Sequence, residues 1–252
     1  KCPYCDSNSH AIHPVSDEQS SLEEGYVAAL IRDLEMALSD VWGRRLNSVF
    51  FGGGTPSLFS ASSIDRILTA VRTLMPLEHF AEVTLEANPG TFEAQKFVDY
   101  RLAGINRLSI GIQSFDPNRL KAIGRVHDDQ EALRAVEIAQ SNFDAITLDL
   151  MYALPGHTLA EAQHDIDTAC AFGVSLLSAY HLTLEPNTLF HRYPPSLPDD
   201  EQTAAMQDII EQTLQQKGYS HYETSAFAQP GKESRHNLNY WLFGDYLGIG
   251  AG

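Results

Sequence analysis

Short apolar segments alternate with longer amphipathic segments along almost the whole chain. Because the short segments are rich in β-branched and apolar residues, they predict strands at 48–51, 82–86, 107–113, 145–151 and 176–182. The longer segments predict helices at 25–39, 63–74, 91–103, 129–141, 159–172 and 199–216. In the first helix, Tyr26, Leu30 and Leu34 form one apolar stripe, as a helix that packs on a sheet requires. Strands that alternate with helices in this way are typical of a parallel α/β sheet.

The strand–helix units also predict the architecture. Together with one further strand expected ahead of Cys2, they would make a partial (β/α)6 barrel, and a barrel with so few strands is expected to be open on one side. The chain does not begin with Met and ends in mid-pattern, so we expect a barrel truncated at both ends. We assign residues 1–217 to the barrel core and residues 218–252 to an extension that leads to a C-terminal domain outside the chain. Within the extension, 219–227 predicts one strand and the residues from Ser234 predict a helix.

The composition and net charge of the chain restrict the classes of function that it can have. The 252 residues are 43% hydrophobic, enough for one large core. With 17 basic and 33 acidic residues the net charge is −16, which would repel a phosphate backbone and argues against a nucleic-acid partner. No apolar run approaches the ~20 residues of a membrane helix, so we expect a soluble protein. Three cysteines cannot build a disulfide framework, and paired thiols suit a reducing cytoplasm.

Polar side chains end three of the predicted strands: Glu86, Gln113 and Asp149. Strands of a helix-covered parallel sheet are buried on both faces, so such groups are costly unless they have partners. In barrel folds the functional site is assembled from the carboxyl ends of several strands. An ordinary buried hydrogen bond or ion pair is the alternative for each residue. The matching position of all three favours a site.

Two further features of the sequence suit a ligand bound at the carboxyl ends of the strands. The run Gly52, Gly53, Gly54 and Thr55 leaves backbone groups unobstructed by any Cβ, so the polar end of a ligand can come close, although a tight turn is the alternative. Arg125 has the geometry to pair with a ligand carboxylate, and a solvated surface arginine is its alternative.

Cys2 and Cys5 form a C-x2-C pair at the start of the chain. This spacing is shared by structural zinc sites and iron–sulfur sites, so a zinc half-site stays open. There is no second C-x2-C, and Cys170 lies in an apolar helical stretch as a small buried hydrophobe. Two thiolates suit a cluster whose third cysteine precedes the chain.

Four segments together resemble the radical SAM proteins of the oxygen-independent coproporphyrinogen oxidase group: 1–6, 52–56, 107–115 and 149–156. The resemblance covers nearly the whole chain. It implies a radical SAM barrel with a [4Fe–4S] cluster held by Cys2, Cys5 and a third cysteine four residues before Cys2. It also implies that S-adenosylmethionine binds the open iron and contacts Tyr4, Gly53, Gly54, Thr55, Glu86, Gln113, Arg125 and Asp149.

Two positions separate the subfamilies of this group. The true porphyrinogen oxidases carry a further cysteine two residues after the last cluster ligand, where this sequence has Ser7. The segment 236–241 resembles the H-N-x-x-Y-W signature of the heme-chaperone subfamily. On a helix His236 and Tyr240 share one face, and the signature ends in Trp241, so an imidazole with aromatic neighbours would suit a porphyrin.

The resemblance therefore implies a heme chaperone, which binds heme and hands it to heme-accepting proteins such as respiratory enzymes, with catalysis not its main role. The enzyme alternative is an oxygen-independent coproporphyrinogen III dehydrogenase that uses a deoxyadenosyl radical. A zinc-stabilised α/β protein with no redox role is a more distant alternative. Three histidines are candidates for a second axial ligand of heme, with ordinary hydrogen bonding as the alternative for each: His157, His181 and His191.

Further hypotheses concern partners and regulation. They are transient contact with membrane proteins, a homodimer, and control of heme transfer by the cluster.

Overall fold

The structure is a computed structural model that describes residues 1–7, 16–91 and 94–251. Side chains are described for these residues except 16–20 and 91. Seven strands form one sheet: β1 (Leu46–Phe51), β2 (Leu77–Ala87), β3 (Arg107–Gln113), β4 (Ala145–Tyr152), β5 (Leu176–His181), β6 (Ser220–His221) and β7 (Ala226–Ala228). The helices are α1 (Ser16–Ala37), α2 (Ala61–Leu74), α3 (Ala94–Ala103), α4 (Pro117–Ala122), α5 (Asp129–Asn142), α6 (Leu159–Ala171), α7 (Leu189–Arg192), α8 (Asp200–Gln216) and α9 (Arg235–Trp241). Short 3-10 turns lie at Pro56–Leu58 and Pro89–Thr91.

The sheet is an open, partial barrel. Its order is β1-β2-β3-β4-β5-β7-β6, and each neighbouring pair from β1 to β5 is parallel. Strand β7 then runs antiparallel to β5, and β6 runs antiparallel to β7. Parallel neighbours with helical crossovers confirm the predicted α/β architecture.

Alternating residues give the sheet two chemically different faces, because successive side chains of a strand point in opposite directions. On one face Leu85, Ile110, Leu148 and Leu177 pack with helix residues in the main core. The other side of the parallel strands carries polar residues, here called the polar face: Ser48, Glu82, Thr84, Glu86, Arg107, Ser109, Thr147, Asp149 and Ser178. The apolar face forms part of the hydrophobic core, and the polar face carries side chains that can bind a ligand.

Side-chain caps fix where several helices begin. Asp128 begins α5 and Thr158 begins α6, each in a capping box with the glutamate three residues later. Asp199 makes the same arrangement with Gln202 at the start of α8. Each cap satisfies backbone N–H groups that have no partner inside the helix.

Some sequence predictions need correction. The prediction of one strand over 219–227 is wrong, because the chain turns back on itself between β6 and β7 and the Tyr222 N–H donates to the Ala226 carbonyl. The Glu223 side chain supports this turn by accepting from the Ser225 N–H at 3.2 Å. Helix α1 begins at Ser16 rather than at residue 25, and the short helices α4 and α7 were not predicted. Of the helix predicted at 91–103, positions 92–93 lie outside the described residues.

Within the described part of the chain, no helix combines the length and apolarity that crossing a bilayer would require.

Candidate functional site

The carboxyl ends of the parallel strands bring most of the predicted strand-end residues to one edge of the sheet, here called the rim. Glu86 lies near the end of β2, and its Oε2 accepts a hydrogen bond from the Gly53 N–H at 3.2 Å. Gln113 ends β3 as predicted. The prediction that Asp149 ends its strand is wrong, because β4 continues to Tyr152. The glycine run after β1 therefore meets a carboxylate of the neighbouring strand, as the strand-end pattern predicts.

The two rim carboxyls have unusual acidity. Burial raises the pKa of Glu86 to about 7, the nearby charge of Asp149 adds to the rise, and the Gly53 N–H opposes it. Burial likewise raises the pKa of Asp149 to about 6, opposed first by the Ser109 hydroxyl, which donates to Oδ2 at 2.8 Å. Both groups are hydrogen-bond acceptors whose charge is costly in this setting, so a ligand that offers hydroxyl or cationic groups would be favoured.

A network of polar atoms holds Arg125 at the same rim. Its Nη1 donates to Asn88 Oδ1 at 2.9 Å and its Nη2 to the Gly111 carbonyl at 3.3 Å. A Cβ at Gly111 would stand 2.9 Å from Gln113 Nε2 and 3.1 Å from Arg125 Nη2, so only glycine leaves room for this arrangement. Gln113 itself has φ of 70°, a left-handed conformation that turns the chain out of β3. Arg125 is thus half-buried and hydrogen-bonded, which does not fit the alternative of a solvated surface arginine.

The cysteine loop packs against the segment that leads to Arg125. The Cys5 N–H donates to the Cys2 carbonyl at 3.2 Å, and the Cys2 thiol lies 3.7 Å from the Gly124 carbonyl. Gly124 has φ of 68°, and a Cβ there would meet Pro3 Cδ at 2.7 Å. Both thiols are free and partly exposed. Within the described ranges, no group of three or more His, Cys, Asp or Glu side chains could hold a metal ion.

Tyr4 joins the cysteine loop to the core. Its ring packs with the apolar cluster that includes Ile123, Met151 and Phe190. Burial raises the pKa of Tyr4 to about 12, although the charge of Arg125 acts in the opposite direction. Tyr4 therefore stays neutral at physiological pH, with Arg125 and Cys2 as its polar neighbours.

The residues at the rim fit a bound cofactor. Among the described residues, nothing lies within 4 Å of the positions that a Cβ would take at Gly53 and Gly54, which leaves room there for a ligand. Asp149 Oδ1 and Arg125 Nε are buried and have no hydrogen-bond partner among the described residues. Buried polar atoms without partners are rare in folded proteins and are typical of sites that a ligand or water completes. The two free thiols of the cysteine loop, which packs against Gly124, add donors suited to iron.

Thr55 completes the glycine run. Its Oγ1 donates to the Gly54 carbonyl at 2.6 Å and accepts from Asn88 Nδ2 at 3.3 Å. Since Asn88 also accepts from Arg125, one amide links the two sides of the rim.

A second cluster surrounds α9 and is anchored by a buried carboxylate. Glu82 Oε1 accepts from Ser234 Oγ at 2.8 Å and from the His236 N–H at 3.1 Å, while Oε2 accepts from the Arg235 N–H at 3.2 Å. Arg107 lies 3.5 Å from the same carboxylate and donates to Thr147 at 2.9 Å. The first turn of α9 is therefore fixed to the polar face.

His236 is held by three neighbours. Its ring stacks on Phe50 with centroids 4.5 Å apart and an interplanar angle of 16°. Its Nδ1 lies 3.2 Å from Ser48 Oγ, and the Tyr240 ring meets it edge-on at 5.1 Å. Burial lowers the pKa of His236, so the imidazole is neutral at neutral pH, the form that binds iron. Tyr240 and Trp241 are 44% and 53% exposed, which leaves aromatic surface beside the imidazole.

The remaining histidines have separate surroundings. His191 Nδ1 lies 3.3 Å from the Leu184 carbonyl, in keeping with the hydrogen-bonding alternative, and His181 is an exposed residue at the end of β5. His157 is buried with neither ring nitrogen hydrogen-bonded among the described residues, and it lies 4.0 Å from Asp165 beside a cavity of about 10 Å³. Cys170 packs against the core but is partly rather than fully buried, and burial raises its pKa to about 11.

Several site residues were missed by the sequence patterns. Glu82 is a carboxylate inside a buried strand, so the rule that found Glu86 would have found it too. Ser48, Phe50 and Asn88 carry no such signal, because their residue types are ordinary for a strand or a turn.

Comparisons with known proteins identify relatives of this chain. The model of the radical SAM superfamily matches residues 1–169. The chain is 49% identical over 256 residues to the heme chaperone HemW of Escherichia coli (strain K12) and 48% identical over 261 residues to that of Haemophilus influenzae. The HemW protein of Bacillus subtilis is 37% identical over 257 residues. Each match takes in 100% of this chain, which spans about 66% of the length of each relative.

Among solved structures, the fold is similar to that of the coproporphyrinogen III oxidase HemN from Escherichia coli, described as a radical SAM enzyme. The TM-score is 0.80 at 22% identity, over 96% of this chain and 55% of that one. Elp3 of Methanocaldococcus infernus is a more distant neighbour, with a TM-score of 0.58 over 76% of this chain.

Proposed function

This chain belongs to the radical SAM superfamily, and from that premise we propose that it is the heme-binding part of a heme chaperone similar to HemW. The protein would bind heme and transfer it to heme-dependent proteins. The observation that carries the proposal is the placement of His236. Its imidazole is neutral, fixed by Phe50 and Ser48, and bordered by the exposed rings of Tyr240 and Trp241.

The chemistry of this cluster suits heme. A neutral imidazole is a common axial ligand of heme iron, and aromatic side chains offer flat apolar surface to a porphyrin. Since Nδ1 of His236 lies at hydrogen-bond distance from Ser48, its Nε2 is the atom left for iron. The apolar surface continues beyond α9 with Leu242 and Phe243, 75% and 96% exposed, and this suits contact with a heme-accepting protein.

Two further cofactors, an iron–sulfur cluster and S-adenosylmethionine, would bind at the rim and at the cysteine loop. Cys2 and Cys5 would bind a [4Fe–4S] cluster together with a third cysteine outside the chain. Such a cluster would supply an iron at which S-adenosylmethionine could bind. Glu86 and Asp149 would accept from the hydroxyl groups of that ligand, and Arg125 would pair with its carboxylate. Tyr4, Gly53, Gly54, Thr55 and Gln113 would line the same pocket.

Location and partners follow from the same proposal. Two free, partly exposed thiols suit a reducing compartment, so we place the protein in the cytoplasm. Heme acceptors such as respiratory enzymes are the expected partners. A homodimer, transient contact with membrane proteins, and control of transfer by the cluster stay hypotheses.

A second candidate function is oxygen-independent coproporphyrinogen III dehydrogenation. The specific observation in its favour is the fold similarity to HemN across 96% of the chain. Ser7 argues against this function, because the true porphyrinogen oxidases carry a further cysteine at the corresponding position. Decarboxylation of coproporphyrinogen by the reconstituted full-length protein would decide for the enzyme.

A heme titration tests the main proposal. The full-length protein is titrated with heme and the Soret absorbance is followed, with His236→Ala beside the wild type. We expect stoichiometric binding by the wild type and a loss of affinity of about ten-fold or more in the variant, because an axial ligand is removed. His164→Ala is the matched control, since His164 is an exposed histidine on the outer helix α6. Equal affinity of all three proteins would contradict the assignment of His236.

A further inference from the structure

Phe50 lies between the two candidate sites. On one side its ring is stacked on His236, with centroids 4.5 Å apart. On the other side the ring approaches the rim, because a Cβ at Gly52 would stand 2.7 Å from Phe50 Cε1. The same Cβ would stand 3.4 Å from Glu86 Oε1. One aromatic ring thus occupies the space between α9 and the start of the glycine run.

The contacts at each end are specific. Phe50 belongs to β1, so its backbone continues after two residues into Gly53, whose N–H donates to Glu86. Its side chain lies on the polar face beside Thr84, with which it is in register. At the far end, His236 is tied to the same strand by Ser48 at 3.2 Å. A movement of Gly52 or Glu86 can therefore be transmitted to the imidazole of His236 through the packed ring of Phe50.

We infer that Phe50 is a positioning residue that couples S-adenosylmethionine binding at the rim to heme binding at His236. The inference rests on the proposed function. A ligand held by Gly53, Gly54 and Glu86 would restrict the remaining motion of the residues against which Phe50 packs, and the ring would then hold His236 more firmly in its stacked position. Heme that binds a pre-ordered imidazole loses less conformational freedom, so it binds more tightly. Reciprocity requires heme to tighten S-adenosylmethionine by the same factor.

Paired titrations test this coupling. Heme is titrated into the full-length protein, with its cluster reconstituted anaerobically, in the absence and presence of saturating S-adenosylmethionine. In the wild type we expect the ligand to lower the heme dissociation constant by about five-fold or more. In Phe50→Leu, which keeps an apolar side chain but removes the aromatic ring, we expect the ratio to fall below about two-fold. A wild-type ratio near one, or a ratio that persists in Phe50→Leu, would overturn the inference.

A second variant probes the contact from the rim. Gly52→Ala places a methyl group where the Phe50 ring lies, so the ring must move. We expect this variant to weaken heme binding by about five-fold or more even without S-adenosylmethionine, and to shift the Soret maximum of the bound heme. Unchanged heme affinity in Gly52→Ala would contradict the role of the ring.

Matched controls separate coupling from general damage. Phe51→Leu changes the neighbouring phenylalanine, which packs against the core on the other face, and should keep the full ratio. Melting temperatures of all variants exclude loss of the fold as the cause. If the wild type binds no heme at all, the proposed function fails and the inference fails with it. If heme binds normally but without response to S-adenosylmethionine, only the inference fails.

Discussion

Glu86 illustrates how surroundings change one residue's chemistry. A glutamate in water is ionised at any physiological pH, but burial and the neighbouring Asp149 raise the pKa of Glu86 to about 7. Its charge is therefore present above that pH and is lost as the pH falls below it. Ligand contacts that need the carboxylate should follow the same titration.

The first prediction is a pH-dependent affinity for S-adenosylmethionine. Between about pH 8 and about pH 6.5 we expect wild-type affinity to fall as the pH is lowered, because protonated Glu86 accepts hydrogen bonds more weakly. Glu86→Gln should bind about ten-fold more weakly at the upper pH and should show little pH dependence in this range. Isothermal titration calorimetry measures both. Glu78→Gln, on the same strand but more exposed, is the control and should titrate like the wild type.

Residue types alone predicted part of this site. Glu86 and Asp149 stand out in the sequence because a carboxylate is unusual in a strand buried on both faces. The partners of Arg125 could not be predicted, since Asn88 and Gly111 are ordinary turn and strand residues that the fold brings to it. Phe50 gave no signal either, because its role depends on what packs against each side of its ring.

Among the elements, α9 depends on its first turn more than on its length. A helix of seven residues is too short to be stable alone, and none of its residues is buried. Ser234 begins it by accepting from the Asn237 N–H and donating to Glu82, which also binds two backbone N–H groups of the helix. Because α9 has no buried apolar face, these tertiary hydrogen bonds hold the helix in place.

The second prediction concerns this anchor. Ser234→Ala removes an N-cap and a buried hydrogen bond to a carboxylate, and we expect the free energy of unfolding to fall by about 2 kcal/mol. Heme affinity should fall with it, because α9 carries His236. Urea denaturation measures the first effect and a heme titration the second. Ser39→Ala, an exposed serine, should change stability by less than about 0.5 kcal/mol.

Elements of regular length were easier to predict than short ones. The pattern over 107–113 predicted β3 with its observed ends, because a run of apolar and β-branched residues in a buried strand is long enough to be distinctive. One strand was predicted where the structure has the hairpin of β6 and β7. Strands of two and three residues are too short to show alternation of apolar and polar residues. Short α4 and α7 begin at the caps Asp116 and Thr188 and likewise lack a helical repeat.

At the scale of the molecule, the segment after α9 packs back onto the first helix. Leu247 and Ile249 contact the apolar cluster built around Val27 and Leu34 of α1. The Gly250 N–H donates to Asp33 of the same helix at 2.8 Å. These contacts join residues far apart in the sequence, which no local pattern could reveal.

The third prediction tests this packing. Ile249→Ala removes apolar surface from a half-buried site, so we expect a loss of about 1 to 2 kcal/mol in the free energy of unfolding. Leu242→Ala, at a position 75% exposed, should change it by less than about 0.5 kcal/mol. Chemical denaturation of the two variants side by side would distinguish them. Equal stability would show that the segment adds nothing to the fold.

The fourth prediction follows from the net charge of −16. Because a phosphate backbone of the same sign is repelled, we expect no retardation of duplex DNA by the protein at about 0.15 M salt and micromolar concentration. An electrophoretic mobility assay checks this, with binding at low salt as the contrary result. The charge is a property of the whole chain and could be read from composition alone.

The position of Trp241 has an optical consequence. The sequence contains 2 tryptophans, and the other, Trp42, lies between α1 and β1 with 85% of its surface exposed. Trp241 ends the helix that carries His236, so a porphyrin bound there would quench the emission of this indole. In a Trp42→Phe background, fluorescence would come from Trp241 alone within the described chain. Under the proposed function, the fluorescence of this variant would report heme binding and release in real time, without any added dye.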